Sequence, residues 1–330
     1  MPGTAMGKEV SCMPGISACV PVYRVPPAYL ADLLESLVQQ RRKPDEVVIN
    51  DDASGVDYSD VIRRYRNSLI IRYQRNHENL GMVGNWNAAV ARCREDLVII
   101  LGHDDRVAPE MFADYEEAFQ ADERTALVCS GSLYIGPSGA PVEIRNNVNG
   151  RDHIFRTRDR YRLDGREATR LCLRNGAALG ELSVHMFRRA DFEAVGGYDA
   201  AFGHAADIDL AIRIANRGDT IYINRPYLHR RMHADNLTWT NLATGRVTDD
   251  RAALFEKYKA THDFTSDELS RFRAYLVACA CYDLVRTPRH RSLRVIRTAL
   301  SQIRQYSQLR PGIYLSACAE IVTGENRDAR

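Results

Sequence analysis

Five consecutive apolar residues, Leu97-Val98-Ile99-Ile100-Leu101, run straight into the polar tip Gly102-His103-Asp104-Asp105. An uninterrupted apolar run of this length reads as a strand buried on both faces, as in a parallel sheet covered by helices on each side. A pair of carboxylates where such a strand surfaces is costly to hold unless a cation or hydrogen-bond donors face it. In open α/β sheets, ligands bind outside the carboxyl ends of the strands. Two aspartates there suit a hard divalent ion such as Mg2+ or Mn2+, which takes one or two protein carboxylates together with phosphate oxygens. The plainer reading is a solvated turn.

The preceding residues repeat the same design. A β-prone run over 16–22 ends at Pro21-Val22-Tyr23, and Pro26-Pro27 opens a helix carrying Leu30, Leu33, Leu34, Leu37 and Val38 at helical spacing. Residues 46–50 form a second buried strand that ends in Asp51-Asp52-Ala53-Ser54. A helix over 58–65, a strand over 69–73 and a helix over 85–94 lead to the carboxylate strand. This alternation implies right-handed crossovers and a mostly parallel sheet. Further on, the pattern predicts a helix over 109–121, strands over 125–135 and 182–187, and a helix over 208–215 behind an acid cluster; 146–166 carries no clear period. Beyond about residue 249 it is helical. The expected organisation is a disordered leader over 1–14, an α/β domain over 15–250 (halves 15–108 and 109–250) and a helical region over 251–330.

Bulk properties exclude several classes. The formal net charge of +2 argues against a generally cationic nucleic-acid binder. No segment reaches the roughly 18 apolar residues of a membrane span, and the first residues lack the pattern of a signal peptide. The eight cysteines are scattered without a Cys-x-x-Cys, which fits reduced thiols in a cytoplasmic protein. No glycine-rich phosphate loop follows the first strand, so nucleotidyltransferase and dinucleotide-dependent oxidoreductase readings fall away.

Two strand ends thus carry paired acids, Asp51-Asp52 and Asp104-Asp105, and should face one crevice. One pair could hold a metal-diphosphate while the other reads a nucleoside, because a carboxylate accepts the imide N–H of uracil or thymine. The plainer reading of Asp51-Asp52 is a helix cap with an Asx turn.

These residues resemble a family 2 glycosyltransferase of the GT-A fold, a Rossmann-like nucleotide-sugar-binding sandwich. The likeness lies in the order of short pieces: Pro21-Val22-Tyr23, Val47 to Ser54, Arg75 to Asn87, His103-Asp104-Asp105, Gly196-Gly197-Tyr198-Asp199, Asp207-Ile208-Asp209-Leu210 and Arg231-Met232-His233. The resemblance implies metal-dependent, inverting transfer of a sugar from a UDP- or dTDP-sugar to an acceptor hydroxyl, with Mn2+ or Mg2+ as cofactor. Asp52 would contact the base. Asp105 would ligate the metal, with Asp104 on the ribose or sugar, although His103 stands where the motif opens on Asp. Asp207 would be the general base, with Ala206 in place of the usual Glu and Asp209 as the competing acid. His233 would approach the metal or diphosphate, and Arg231 the diphosphate. Pro21, Tyr23, Asn79 and Asn87 would line or brace the nucleotide end. A polar segment over 234–246 with Trp239 suits a lid.

Arginines gather over 286–310 with no acid among them, and Leu293, Ile296, Leu300 and Ile303 recur at helical spacing. This helix either docks on the body with a solvated basic face or meets anionic lipid at the inner face of the membrane. The competing functional class is a catalytically silent nucleotide-sugar-binding scaffold. The acceptor class, whether saccharide, lipid-linked sugar, natural product or protein, is not legible.

Overall fold

The computed structural model describes residues 13–142, 154–155, 157–233, 236, 241, 244–286 and 293–306. Most of the expected leader, Trp239 and nearly all of the expected lid lie outside them, as do Arg289, Arg291 and Arg310.

The chain begins β1 (Ile16–Val22), α1 (Pro27–Val38), β2 (Glu46–Asp51), α2 (Ser59–Tyr65), β3 (Ile71–Arg75), α3 (Gly81–Val90) and β4 (Leu97–Ile100). Every residue of β1, β2 and β4 is buried, which suits their apolar centres; the buried polar residues of β1 and β2, Ser17, Glu46, Asn50 and Asp51, are hydrogen-bonded. Pro27 occupies the first position of α1, where its missing N–H costs nothing, and Leu30, Leu33, Leu34 and Leu37 line the buried face. Replacing any one of these leucines by alanine would cost about 2–5 kcal/mol.

Next come β5 (Arg106–Val107), α4 (Met111–Ala121), β6 (Thr125–Ile135), β7 (Arg160–Leu163), α5 (Gly165–Asn175), a 3-10 turn (Leu182–Val184), β8 (Met186–Arg188), α6 (Arg189–Ala194), α7 (Ala206–Ala215) and β9 (Asp219–Arg231). The helices α8 (Arg246–Tyr258), α9 (Ser266–Arg286) and α10 (Leu293–Tyr306) follow.

All nine strands join one sheet, in the order β3-β2-β1-β4-β8-β6-β9-β5, with β7 on β9. The first four are mutually parallel, as the alternation predicts. The short antiparallel β8 then separates this half from the parallel pair β6 and β9. Because β2, β1 and β4 run the same way, their carboxyl ends share one edge. Adjacent strands lie about 4.8 Å apart, so the acid pairs after β2 and β4 are roughly 10 Å apart along that edge.

The structure corrects three expectations. Helix α3 starts four residues before the predicted 85, because the Leu80 and Gly81 N–H groups are tied to Asp52 and Asn79 at its first turn. The segment over 182–184 is a 3-10 turn and only 186–188 is strand. The unassigned stretch holds β7, whose Arg160 and Arg162 point outward to Glu117, Asp122 and Asp219, so no apolar alternation marks it.

Helix α10 docks on the body, and of the expected stripe Ile303 packs against the core. Val295, Ala299, Gln302 and Tyr306 are buried, whereas Leu300 is 55% exposed. Gln302 donates to the Thr248 carbonyl (2.8 Å) and the Tyr306 hydroxyl to Glu256 (3.0 Å), fixing the rotation of the helix with polar contacts on α8. Among the described residues no helix is long and apolar enough to cross a membrane.

Candidate active site

At the end of β2, Asp51 and Asp52 part company. Asp51 is sealed inside: one carboxylate oxygen accepts the Ser54 N–H (2.9 Å), the other the Tyr73 hydroxyl (2.7 Å) and Arg75 Nε (2.6 Å). Burial works against its charge, but the Ser54 N–H, these hydroxyls and Arg75 outweigh it and hold the carboxyl below its ordinary value. The Asx turn is therefore real, and it belongs to Asp51. Asp52 uses one oxygen, which accepts from the Asn76 amide (2.8 Å) and the Leu80 N–H (2.8 Å). Asn76 is steadied by Asn85, which also accepts from Asn50 (2.6 Å). Sequence reasoning missed Asn76 and Asn85 as supports of Asp52, although both lie in the Arg75–Asn87 segment. Asn79 reaches the Asp52 carbonyl (3.3 Å).

Among the described residues two non-glycine residues adopt left-handed backbone, Arg24 (φ 52°) and Ala53 (φ 54°). Each directly follows an expected nucleotide residue, Tyr23 just past β1 and Asp52 just past β2. Strained backbone of this kind gathers at ligand sites. Pro21 is buried within β1 beside Asn50 of β2, whereas Tyr23 is 41% exposed with the Arg24 guanidinium 5.1 Å from its ring centre.

Asn87 lies elsewhere. Its amide donates to the Tyr198 carbonyl (2.9 Å) and accepts the Tyr198 N–H (2.8 Å), so both its polar ends brace the Gly196-Gly197-Tyr198 turn rather than a nucleotide.

Beyond β4 the second acid pair also divides. Asp105 turns inward, accepting the Arg231 N–H (2.9 Å) and the Ser183 hydroxyl (3.1 Å). Burial and the neighbouring Asp104 push its carboxyl well up. Asp104 is the acid that meets His233, at 2.9 Å between Oδ2 and Nε2, with the Asn236 amide at 3.3 Å. Burial opposes the Asp104 charge, yet His233 and His103 bring its carboxyl below the ordinary value.

Arg231 is neither a phosphate ligand nor a surface arginine. It is fully buried, donates to the carbonyls of Asp104 (2.7 Å) and Pro137 (2.8 Å), pairs with Asp32 (2.8 Å) and lies over the Tyr29 ring. It is a strut that ties the end of β9 to the Asp104 backbone.

Among the described residues no group of three or more His, Cys, Asp and Glu side chains is arranged to hold a metal ion by itself. The donor set does suit a cation that completes its shell with phosphate oxygens. Buried His103 Nδ1 has no hydrogen-bond partner and faces Asp104 Oδ1 at 3.7 Å, while His233 holds the other oxygen.

Asp207 stands in the first turn of α7. Its carboxylate accepts the N–H groups of Leu182 (3.2 Å) and Ile208 (2.9 Å). Burial pushes the carboxyl up to about 6, with Glu181 adding to the rise, while the two N–H groups and Arg230 restrain it. The rival acid, Asp209, is fully buried and committed to Arg213 (2.8 Å), Lys257 (2.7 Å) and the Tyr258 hydroxyl (2.8 Å). It joins α7 to α8 and is closed to a substrate. The 3-10 turn unites the rest: Leu182 holds Asp207, and the next residue, Ser183, holds Asp105 and accepts the Gly102 N–H (2.8 Å).

A parallel half-sheet with acids at its strand ends, joined to a second half that adds an acid at a helix start, is the GT-A arrangement of glycosyltransferases. S. aureus TarS 1–349 in complex with UDP-GlcNAc has this fold, with a TM-score of 0.63 at 14% identity over 95% of this chain and 93% of that one. The mannosyltransferase PcManGT of Pyrobaculum calidifontis, in complex with GDP-Man and Mn2+, gives 0.56 at 17% identity over 95% and 86%.

Residues 17–196, more than half of the chain, match glycosyl transferase family 2, and the chain belongs to that family. The abequosyltransferase RfbV of Salmonella typhimurium is 26% identical over 79% of this chain and 78% of its own length. The O-antigen chain rhamnosyltransferase WbaN of Salmonella anatum is 24% identical over 62% of each. The protein is a transferase of the glycosyltransferase class.

Proposed function

We propose that this glycosyltransferase moves a sugar, with inversion, from a UDP- or dTDP-sugar to an acceptor hydroxyl. One observation supports the reading: consecutive residues of a single 3-10 turn hold Asp207 and Asp105, which brings the candidate base near the acids that follow β4.

Asp52 offers its remaining carboxylate oxygen to the imide N–H of uracil or thymine, beside the exposed ring of Tyr23. A base without that N–H leaves the carboxylate unsatisfied and is rejected. Asp104 and His233, with His103 and Asp105 behind them, would hold the divalent cation. When bound, that ion neutralises charge on the departing diphosphate. Asp207 takes the proton of the acceptor hydroxyl as its oxygen bonds to the anomeric carbon and the bond to diphosphate breaks on the opposite face. A carboxylate lifted to about 6 matches a base working near neutrality better than an ordinary aspartate does.

The test is a panel of nucleotide sugars, read by thermal shift and by nucleotide release, with Mn2+ and with chelator. Stabilisation by UDP- or dTDP-sugars that needs metal is expected; equal stabilisation by purine donors, or no effect of chelator, overturns the donor and metal assignments. Asp207→Asn should retain donor binding and lose about 10²–10⁴-fold in transfer. Full activity in that variant would remove Asp207 as the base.

A further inference from the structure

Asp207 forms no ion pair among the described residues; its hydrogen bonds come from two backbone N–H groups. Ala206 beside it is buried and apolar, and the other acid of the helix, Asp209, is committed to Arg213, Lys257 and Tyr258. The second acid comes from another element. Glu181 immediately precedes Leu182, whose N–H grips the base, so the Glu181 carboxylate is carried by the same turn. Glu181 is itself held by Arg230 of β9, at 3.0 Å from Nη1, and lies 3.4 Å from the Ser132 hydroxyl of β6. Two carboxylates thus share this corner in unlike surroundings. One has a guanidinium partner and the other has amides only. Pairs of acids placed in contrasting environments divide the work of holding and releasing a proton.

Resting on Asp207 as the base, we propose that Glu181, anchored by Arg230, is a positioning residue: the pair sets the charge beside Asp207 and so the pH at which it can accept the acceptor's proton. Glu181 repels the ionised base and favours its protonated form, while Arg230 limits that repulsion by partnering Glu181. Among the described residues, the Cys172 thiol of α5 and the Tyr198 phenol also lie within electrostatic reach of Asp207. Burial keeps both neutral at working pH, so neither competes with the pair. Glu181 touches no reacting atom in this scheme. It acts through Asp207.

The experiment is a carboxyl 13C NMR titration of the metal-free full chain with labelled aspartate, the Asp207 signal being assigned from its loss in Asp207→Asn. In Glu181→Gln the midpoint should fall, and in Arg230→Gln it should rise, each by on the order of half to one pH unit. Arg230→Lys should restore the parental midpoint. General loosening of the site would move both variants the same way, so opposite shifts carry the proposal. Midpoints that do not move, or that move together, overturn it. Should Arg230→Gln fail to fold, Glu181→Gln decides alone: a fall supports the proposal and an unchanged midpoint ends it. Nucleotide release from Asp207→Asn with the donor chosen by the panel tests the base assignment separately. Undiminished release there defeats that assignment whatever the titration gives.

Discussion

The two acid pairs at the sheet edge have the same layout and opposite electrostatics. After β2 both aspartates are buried and Asp51 is the sealed one; after β4 Asp105 is turned into the protein and Asp104 stays partly exposed. The sealed acid of the first pair, Asp51, meets a guanidinium and a phenol, and its charge is favoured. The inward acid of the second, Asp105, meets a backbone N–H and a serine hydroxyl, and its charge is disfavoured. Asp51 is electrostatically complete in the protein alone. Asp105 has no ion-pair partner among the described residues, the condition under which a site attracts a cation. Similar sequence, Asp-Asp after an apolar strand, therefore builds a satisfied charge at Asp51 and an unsatisfied one at Asp105.

The widest gap between the pairs should appear in catalysis. Asp104→Asn removes the carboxylate that meets His233 and should lower kcat/KM by about 10²–10³-fold, in line with loss of one electrostatic stabiliser. Asp51→Asn should leave kcat within several-fold, its effect entering through donor KM because Asp51 shapes the turn that carries Asp52. Equal losses of kcat in the two variants would erase the distinction between the two pairs.

In stability the order reverses. Asp51→Asn breaks charge-assisted hydrogen bonds to Arg75 and Tyr73 and should cost about 1.5–3 kcal/mol in urea unfolding. Asp105→Asn loses no charged partner and should cost less. The two variants should also differ with pH. The folded Asp51 carboxyl lies below its unfolded value of about 3.9, so its stabilisation is present above that pH and is lost as pH falls through the folded value. The gap between parent and Asp51→Asn should therefore close toward acid. A gap that stays constant from pH 6 to pH 3 would show that the variant acts through packing rather than charge.

How far these features could be read in the sequence follows from the same physics. The strands β1, β2 and β4 were legible because a strand buried on both faces reads as a near-continuous apolar run. The acids at their ends were legible because charge next to such runs is exceptional. Which acid of each pair turns inward was not legible: that depends on Arg75, Ser183 and Arg231, which lie 24, 78 and 126 residues away from the acids they meet. Glu181 and Arg230 were passed over for the same reason, since an isolated charge in a polar stretch has no period to mark it. Asp209 shows the converse failure. It shares its motif with Asp207, and only Lys257 and Tyr258 of α8 reveal it as a tie between helices.

The finest division between the pairs falls on Ser183, whose hydroxyl joins Gly102 to Asp105. It accepts the Gly102 N–H at 2.8 Å and donates to Asp105 at 3.1 Å. Ser183→Ala leaves Asp105 with the Arg231 N–H as its remaining hydrogen-bond donor, a loss of about 0.5–1.5 kcal/mol by urea unfolding. Its effect on transfer should be several-fold, well short of Asp104→Asn, because the carboxylate facing His233 stays in place. A loss as deep as that of Asp104→Asn would mean that Asp105, held at its proper angle by Ser183, is the acid on which the cation depends, and the outward and inward roles within this pair would have to be exchanged.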